Sequence, residues 1–210
     1  MSRATYCLAV MSKAPLPGRV KTRLIATLGA KRAAGIYRQL LMQSCKNIAS
    51  LKQMDIRLYC TPNIRHISFL NIAHRYGYAR HQQSAGDLGQ RMSAVFSSLL
   101  RHYRGVILIG ADSPVVDSRV VEQCRSHLEQ GADLVLGTTE DGGYALIGLR
   151  RPQPTLFRAV PWRSARVADI TRRRAAHLGL KSEEISKLWD VDTAADVRRW
   201  RRHNRRVVSN

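Results

Sequence analysis

Gly105-Val-Ile-Leu-Ile-Gly110 is an uninterrupted apolar run, and Ala-Asp112-Ser-Pro114 follows it directly. A run without a polar face reads as a strand covered on both sides, as in the middle of a parallel or mixed sheet. On its N-terminal side, residues 5–11 read as another buried strand and residues 55–60 as a short one. Between those two, Ala33, Tyr37, Leu40, Leu41, Ser44 and Ile48 fall on one helical face. Residues 62–82 predict a helix and a short strand. Leu88, Met92, Val95, Phe96, Leu99 and Tyr103 then recur at helical spacing, with Asp87 placed to cap that helix. On the C-terminal side, a helix is expected over 117–130, strands over 134–137 and 144–149, and helices near 164–178 and 194–203. Alternating strands and helices define an α/β architecture, with helices on both sides of a parallel or mixed sheet.

The chain has 210 residues and is 44% apolar, enough to bury a substantial core as one domain over 1–210. Residues 5–11 are too short for a signal-peptide core, and no stretch approaches the ~20 apolar residues of a spanning helix. The expectation is a cytoplasmic protein without an integral membrane segment. Cys7, Cys45, Cys60 and Cys124 are scattered and form no CxxC pair, which predicts free thiols rather than structural zinc or disulfides. The formal net charge is +20, and six arginines lie between Arg198 and Arg206 in the basic C-terminal helix near 194–206. Such a field attracts polyanions, so this segment is a candidate for peripheral contact with an anionic surface. A solvated arginine-rich surface has the same composition.

The polar loops carry the candidate chemistry. Lys13-Ala-Pro-Leu-Pro-Gly18-Arg19-Val-Lys21-Thr-Arg23-Leu24 follows the first strand, where open α/β sheets place ligand crevices. Its prolines and Gly18 restrict the backbone, while Lys13, Arg19, Lys21 and Arg23 offer the ammonium and guanidinium donors that diphosphate oxygens need. Val20 before Lys21-Thr22 rules out a Walker A loop. Asp112, at the end of the apolar strand, can reach a metal such as Mg²⁺ or Mn²⁺ that is shared with phosphates, although Asp-Ser-Pro is also good turn chemistry. In Glu140-Asp141-Gly142-Gly143-Tyr144 the glycines permit close backbone approach to a ligand, and Asp141 can bind hydroxyls or act as a base; the same residues make a hairpin turn. Asp190-Val-Asp192-Thr193 sets two acids on one side of an extended segment; one can complete a metal site, or Asp192 or Thr193 can cap the following helix. Gly86-Asp87-Leu-Gly89-Gln-Arg91 allows close contact with a base or ribose, or is a loop entering a capped helix.

Taken in order, KAPLPGRVKTRL (13–24), GDLGQRM (86–92), GADSP (110–114), EDGGYALIGL (140–149) and DVDT (190–193), with Leu156-Phe157 and Pro161-Trp162 between the last two, resemble a known family. The chain is similar to the GT-A-type nucleotide-diphospho-sugar transferases, in particular the bacterial DUF2064 group, also called selenodomain-associated transferase 1. The resemblance implies a Rossmann-like three-layer α/β/α sandwich with a mixed, mostly parallel sheet and a nucleotide-sugar pocket over the strand ends. It implies that Arg19, Lys21 and Arg23 face the diphosphate, that Asp112 and Asp192 hold a divalent metal, and that Asp141, Gly142, Gly143 and Tyr144 lie toward the sugar or acceptor. Ala145 stands where the group usually carries an aromatic residue, Thr138-Thr139 where a proline is common, and Asp-Ser-Pro lacks the second acid of a DxD motif.

The expected activity is metal-dependent transfer of a sugar from a nucleotide diphosphate sugar to an unidentified acceptor. Nucleotidyl transfer from a nucleoside triphosphate is the alternative enzyme reading. A non-enzymatic polyanion binder is the alternative from another class; the 6% aromatic content and the lack of a nucleic-acid motif weigh against it.

Overall fold

The structure, a computed structural model, describes the backbone of residues 5–208 and the side chains of residues 5–205. Strands β1 (Tyr6–Lys13), β2 (Met54–Thr61), β3 (Ala79–Gln82), β4 (Gly105–Gly110), β5 (Leu134–Thr138), β6 (Tyr144–Leu149) and β7 (Ser182–Glu184) form one sheet in the order β3-β2-β1-β4-β6-β5-β7. The first four are mutually parallel; β6 runs antiparallel to β4 and β5, and β7 is parallel to β5. The apolar run that opens the sequence reading is therefore a central strand, between β1 and β6. Reversal of β6 brings its first residue, Tyr144, to the sheet edge where β1 and β4 end.

The helices are α1 (Ile25–Leu28), α2 (Ala30–Asn47), α3 (Ile67–Tyr76), α4 (Leu88–Leu99), α5 (Ser118–Glu129), α6 (Val167–His177) and α7 (Ala194–Val208). Alternation along β1 separates the two cores. Tyr6, Leu8 and Val10 pack with α2, α3 and α5 through Leu41, Phe69, Val121 and Leu128. Cys7, Ala9 and Met11 pack with α4 and α6 through Met92, Phe96, Leu99 and Ala175. Each leucine or phenylalanine fully removed from water contributes roughly 1.5–3 kcal/mol, so the three-layer arrangement follows from the sequence's own periodicities. A third cluster, Leu24, Ile36 and Leu40 with Trp189, Val191, Val197 and Trp200, fastens α7 and the segment before it to the outer side of α2. This is the mixed α/β/α sandwich that the sequence implies.

All four cysteines are buried and unpaired; burial pushes the Cys7, Cys45 and Cys60 thiols up to about 12 and Cys124 further still. They behave as small apolar core residues. No described helix is long and apolar enough to cross a membrane. The sequence reading did not anticipate β7, whose three residues Ser-Glu-Glu are polar and half exposed at the sheet edge. Tyr103, expected within α4, lies beyond its end yet is buried.

Candidate active site

A cleft of about 1060 Å³ opens over the carboxyl ends of β1 and β4. Lys13, Arg19, Lys21, Arg23, Asp87, Asp112, Asp141, Gly143, Tyr144 and Asp192 all line it. The loop after β1 enters it by an ordered route. Ala14 N donates to Thr61 O at 2.7 Å, Lys13 N donates to the Tyr37 hydroxyl at 3.0 Å, and Val20 packs on Ala34 and Tyr37. Burying Val20 turns the next residue inward: Lys21 adopts a left-handed conformation (φ 45°) with its side chain only 4% exposed. A non-glycine residue there carries strain of order 1–3 kcal/mol, held in place by what its side chain binds.

That partner is a pair of carboxylates. Lys21 Nζ donates to Asp112 Oδ2 at 2.9 Å and Asp192 Oδ1 at 2.8 Å, and Arg23 donates to Asp192 Oδ2 at 3.1 Å. Two cross-links bring these acids together from distant parts of the sequence: the buried Ser113 hydroxyl donates to Trp189 O at 2.8 Å, and Val191 N donates to Asp112 O at 3.2 Å. Capping of α7 falls to Thr193 and Asp196, whose side chains reciprocally bond each other's backbone N–H. Asp192 therefore does not cap α7, and its carboxylate lines the cleft.

Asp190, not among the residues singled out as ligands, lines the same cleft. Its Oδ1 is buried without a hydrogen-bond partner, and burial, then repulsion from Asp112, holds its carboxyl well above the usual range. Asp192 is held low: burial opposes its charge, but Lys21 and Arg23 overcome it. For Lys21, too, burial is outweighed by Asp112 and Asp192, and the ammonium is strongly retained. The alternation at Asp190-Val-Asp192 was the available signal; Val191 is fully buried between the two acids.

Asp141 lies in the turn between β5 and β6, where its Oδ1 accepts from the Thr139 hydroxyl at 2.6 Å and Gly143 N at 3.2 Å. The turn and cleft readings thus hold together. Glu140 faces away and forms a two-pronged pair with Arg199, at 2.7 and 2.9 Å, while Arg199 lies 4.3 Å over the Trp189 ring. Gly142 has a packing role: at φ +84° its backbone passes so close to the 161–166 loop that a Cβ would fall 2.0 Å from Ala165 O. Gly89 is similar, with Phe157 O 2.3 Å from an added Cβ. Gly18, Gly86, Gly89 and Gly142 do not line the main cleft. Gly18 shapes the basic loop at φ +79°, and Gly86 precedes the Asp87–Gln90 capping box.

Gln83, Arg91, Trp162 and Arg163 also line the cleft and were missed as ligand-facing residues. Gln83 is buried, and its amide donates to both Ser12 O and Tyr59 O at 2.9 Å while accepting from Arg91 at 3.1 Å. Nothing local in the sequence marks it, because the contacts depend on β1 and β2 lying side by side.

An α/β/α sheet with a basic loop after β1 and acids at the ends of the central strands defines a nucleotide-diphospho-sugar-transferase-type fold. The family model described as an uncharacterized protein conserved in bacteria (DUF2064) matches residues 44–164, more than half of the chain, and the chain belongs to that family. It is similar to a solved structure from Desulfovibrio desulfuricans G20 designated a nucleotide-diphospho-sugar transferase, with 28% identity over 93% of this chain and 85% of that one and a TM-score of 0.82. The fold is also that of 4-diphosphocytidyl-2C-methyl-D-erythritol synthase from Anaerococcus prevotii, at 10% identity, 97% and 100% coverage and a TM-score of 0.63. Glucosyl-3-phosphoglycerate synthase from Mycobacterium tuberculosis, solved with Mn²⁺ and UDP, shares the fold at 10% identity, 89% and 72% coverage and a TM-score of 0.55. No curated protein matches the chain by sequence.

Proposed function

We propose that the protein transfers a sugar from a nucleotide diphosphate sugar to a hydroxyl-bearing acceptor with the aid of a divalent metal. The observation that carries this reading is the buried Lys21 ammonium between Asp112 and Asp192, with Arg23 against the same carboxylate at the cleft. Lys21 and Arg23 would meet the diphosphate oxygens, and Arg19 and Lys13 line the same cleft.

Among the described residues no three His, Cys, Asp or Glu side chains are gathered into a ready-made metal site. Mg²⁺ needs only one or two carboxylates when phosphates and water supply the remaining oxygens. Asp112 and Asp192 fit that requirement: a lysine cation already bridges them, and Asp190, with one buried unpartnered oxygen, lines the same cleft. These two would hold the metal, which supplies charge neutralisation for a leaving diphosphate.

In the transfer, the acceptor oxygen attacks the sugar's anomeric carbon and the carbon–oxygen bond to the β-phosphate breaks. The nucleoside diphosphate departs with that electron pair. Lys21, Arg23 and Arg19 stabilise the charge that develops on it. Asp141, with one oxygen fixed by Thr139 and Gly143, keeps its other oxygen for the acceptor's proton. Peripheral contact with an anionic surface rests on Arg198, Arg201 and Arg202, which are exposed on α7; the Arg206 side chain lies outside the described residues.

A thermal-shift screen with Mg²⁺ or Mn²⁺ tests the donor class, because a ligand that binds only the folded state raises Tm. Nucleotide sugars and nucleoside diphosphates should raise it, less so in Arg23→Gln. Raised Tm with nucleoside triphosphates alone, followed by pyrophosphate release, would replace this reading with nucleotidyl transfer.

A further inference from the structure

The charges in the cleft divide into two groups. Lys21 and Arg23 are matched by Asp112 and Asp192. Arg19 lines the cleft on the same loop as Lys21 and Arg23, and Lys13, Arg91 and Arg163 line it from elsewhere; none of these four forms an ion pair among the described residues. The last three arrive from different elements: Lys13 ends β1, Arg91 lies on the first turns of α4, and Arg163 lies on the loop before α6. Their proximity is felt electrostatically, since burial and then repulsion from Arg91 and Arg163 lower the Lys13 ammonium.

Arg91 is the half-buried, oriented member of this cluster, and Lys13 and Arg163 are its exposed members. Gln83 is 7% exposed, and its amide is clamped to the Ser12 and Tyr59 carbonyls near the ends of β1 and β2; its oxygen accepts from Arg91 Nη1, and Asp87 O accepts from Arg91 Nε at 3.2 Å. A guanidinium has five donor hydrogens, so Arg91 is oriented with others still free. The loop that carries Arg163 is turned by Trp162 N donating to Val160 O and Ser164 N to Pro161 O, both at 2.9 Å, and Trp162 packs edge-on to Tyr144. Three cations facing one cleft, none of them in an ion pair among the described residues, favour a multiply charged anion.

We propose that Lys13, Arg91 and Arg163 form an anion subsite that binds a phosphomonoester on the acceptor, making this a transferase for phosphorylated acceptors. The proposal rests on the transferase reading above for the word acceptor, but the subsite itself stands on the cluster. Gln83 is its positioning residue.

Calorimetric titrations of wild type, Arg163→Gln, Arg91→Gln and Arg23→Gln with inorganic phosphate, and separately with the nucleoside diphosphate that gives the largest thermal shift, test it. Arg163→Gln and Arg91→Gln should weaken phosphate binding at least tenfold and change nucleoside diphosphate affinity less than twofold; Arg23→Gln should do the reverse. Phosphate affinity unchanged in both Arg163→Gln and Arg91→Gln would remove the subsite. Equal weakening of both ligands would assign these arginines to the donor and overturn the acceptor claim. If no nucleoside diphosphate binds, the donor reading fails by itself, while loss of phosphate binding in Arg163→Gln still supports the anion subsite.

Discussion

Lys21 joins the strongest local conflict in the molecule to its candidate chemistry. A left-handed lysine is strained, and a buried ammonium is costly, so both persist only because Asp112 and Asp192 close on it. Removing one member of a fully buried pair costs about 3–5 kcal/mol; the two aspartates are about a third exposed, which screens the loss. Lys21→Met should therefore lower stability by about 2 kcal/mol in metal-free buffer, read from a urea titration. A variant as stable as wild type would mean that the lysine carries no structural share of this site. In the sequence Lys21 was one of four loop cations, and Asp190 one of two alternating acids. Nothing local distinguished the buried members, because their burial depends on Ser113 and Val191 tying together loops almost 80 positions apart.

At the scale of elements, the turn between β5 and β6 and the loop before α6 form one wall of the cleft, and glycine decides how closely they approach. Gly142→Ala meets both a left-handed backbone and Ala165 O, so it should cost about 3 kcal/mol. Gly18→Ala, left-handed but in open space, should cost only about 1–2 kcal/mol. Comparable denaturation midpoints for the two would contradict this account of the wall. Elements with strong periodicity were legible: α2, α4 and β4 lie where their apolar residues put them, because one buried face dictates each. The short strand expected within 62–82 is β3, but the edge strand β7 was not legible, since Ser-Glu-Glu carries no apolar alternation and exists by pairing with β5.

That edge has its own pH dependence. Asp133, just before β5, accepts from Arg150 at 2.9 Å and from Lys181 N at 3.1 Å; burial raises its carboxyl, but these partners overcome it and hold it below the ordinary value. A carboxyl lower in the folded than in the unfolded chain (about 3.9) stabilises above that unfolded value, and the contribution disappears as pH falls through the folded one. Asp133→Asn should cost about 1 kcal/mol at neutral pH, after discounting for partial exposure, and the gap from wild type should close toward pH ~2. A gap that does not change with pH would assign the loss to packing.

Across the whole molecule, α7 clamps the cleft from outside. Trp200 is buried against α2 and donates to Gln43 at 2.7 Å, and Arg199 holds the 139–143 turn through Glu140. Trp200→Ala should lose about 3–5 kcal/mol, whereas Arg198, Arg201 and Arg202 together can be replaced by glutamine with little change in Tm. If the exposed arginines contact anionic surfaces, only that triple variant loses salt-sensitive binding to anionic vesicles; equal binding would leave them as a solvated face. The net charge of +20 by itself could not separate these outcomes, because helix and cleft draw on the same residue types.

The central claim is that Asp112, Asp192, Lys21 and Arg23 make a metal-assisted site for a nucleotide diphosphate leaving group. Incubating wild type and Asp112→Asn with nucleotide sugars, Mg²⁺ or Mn²⁺ and phosphorylated sugar acceptors, then separating the nucleotides by anion-exchange chromatography, tests it most directly. The account predicts metal-dependent release of a nucleoside diphosphate by wild type and at least a hundredfold slower release by Asp112→Asn of unchanged circular dichroism. Undiminished release by Asp112→Asn, or pyrophosphate released from nucleoside triphosphates in its place, would contradict it.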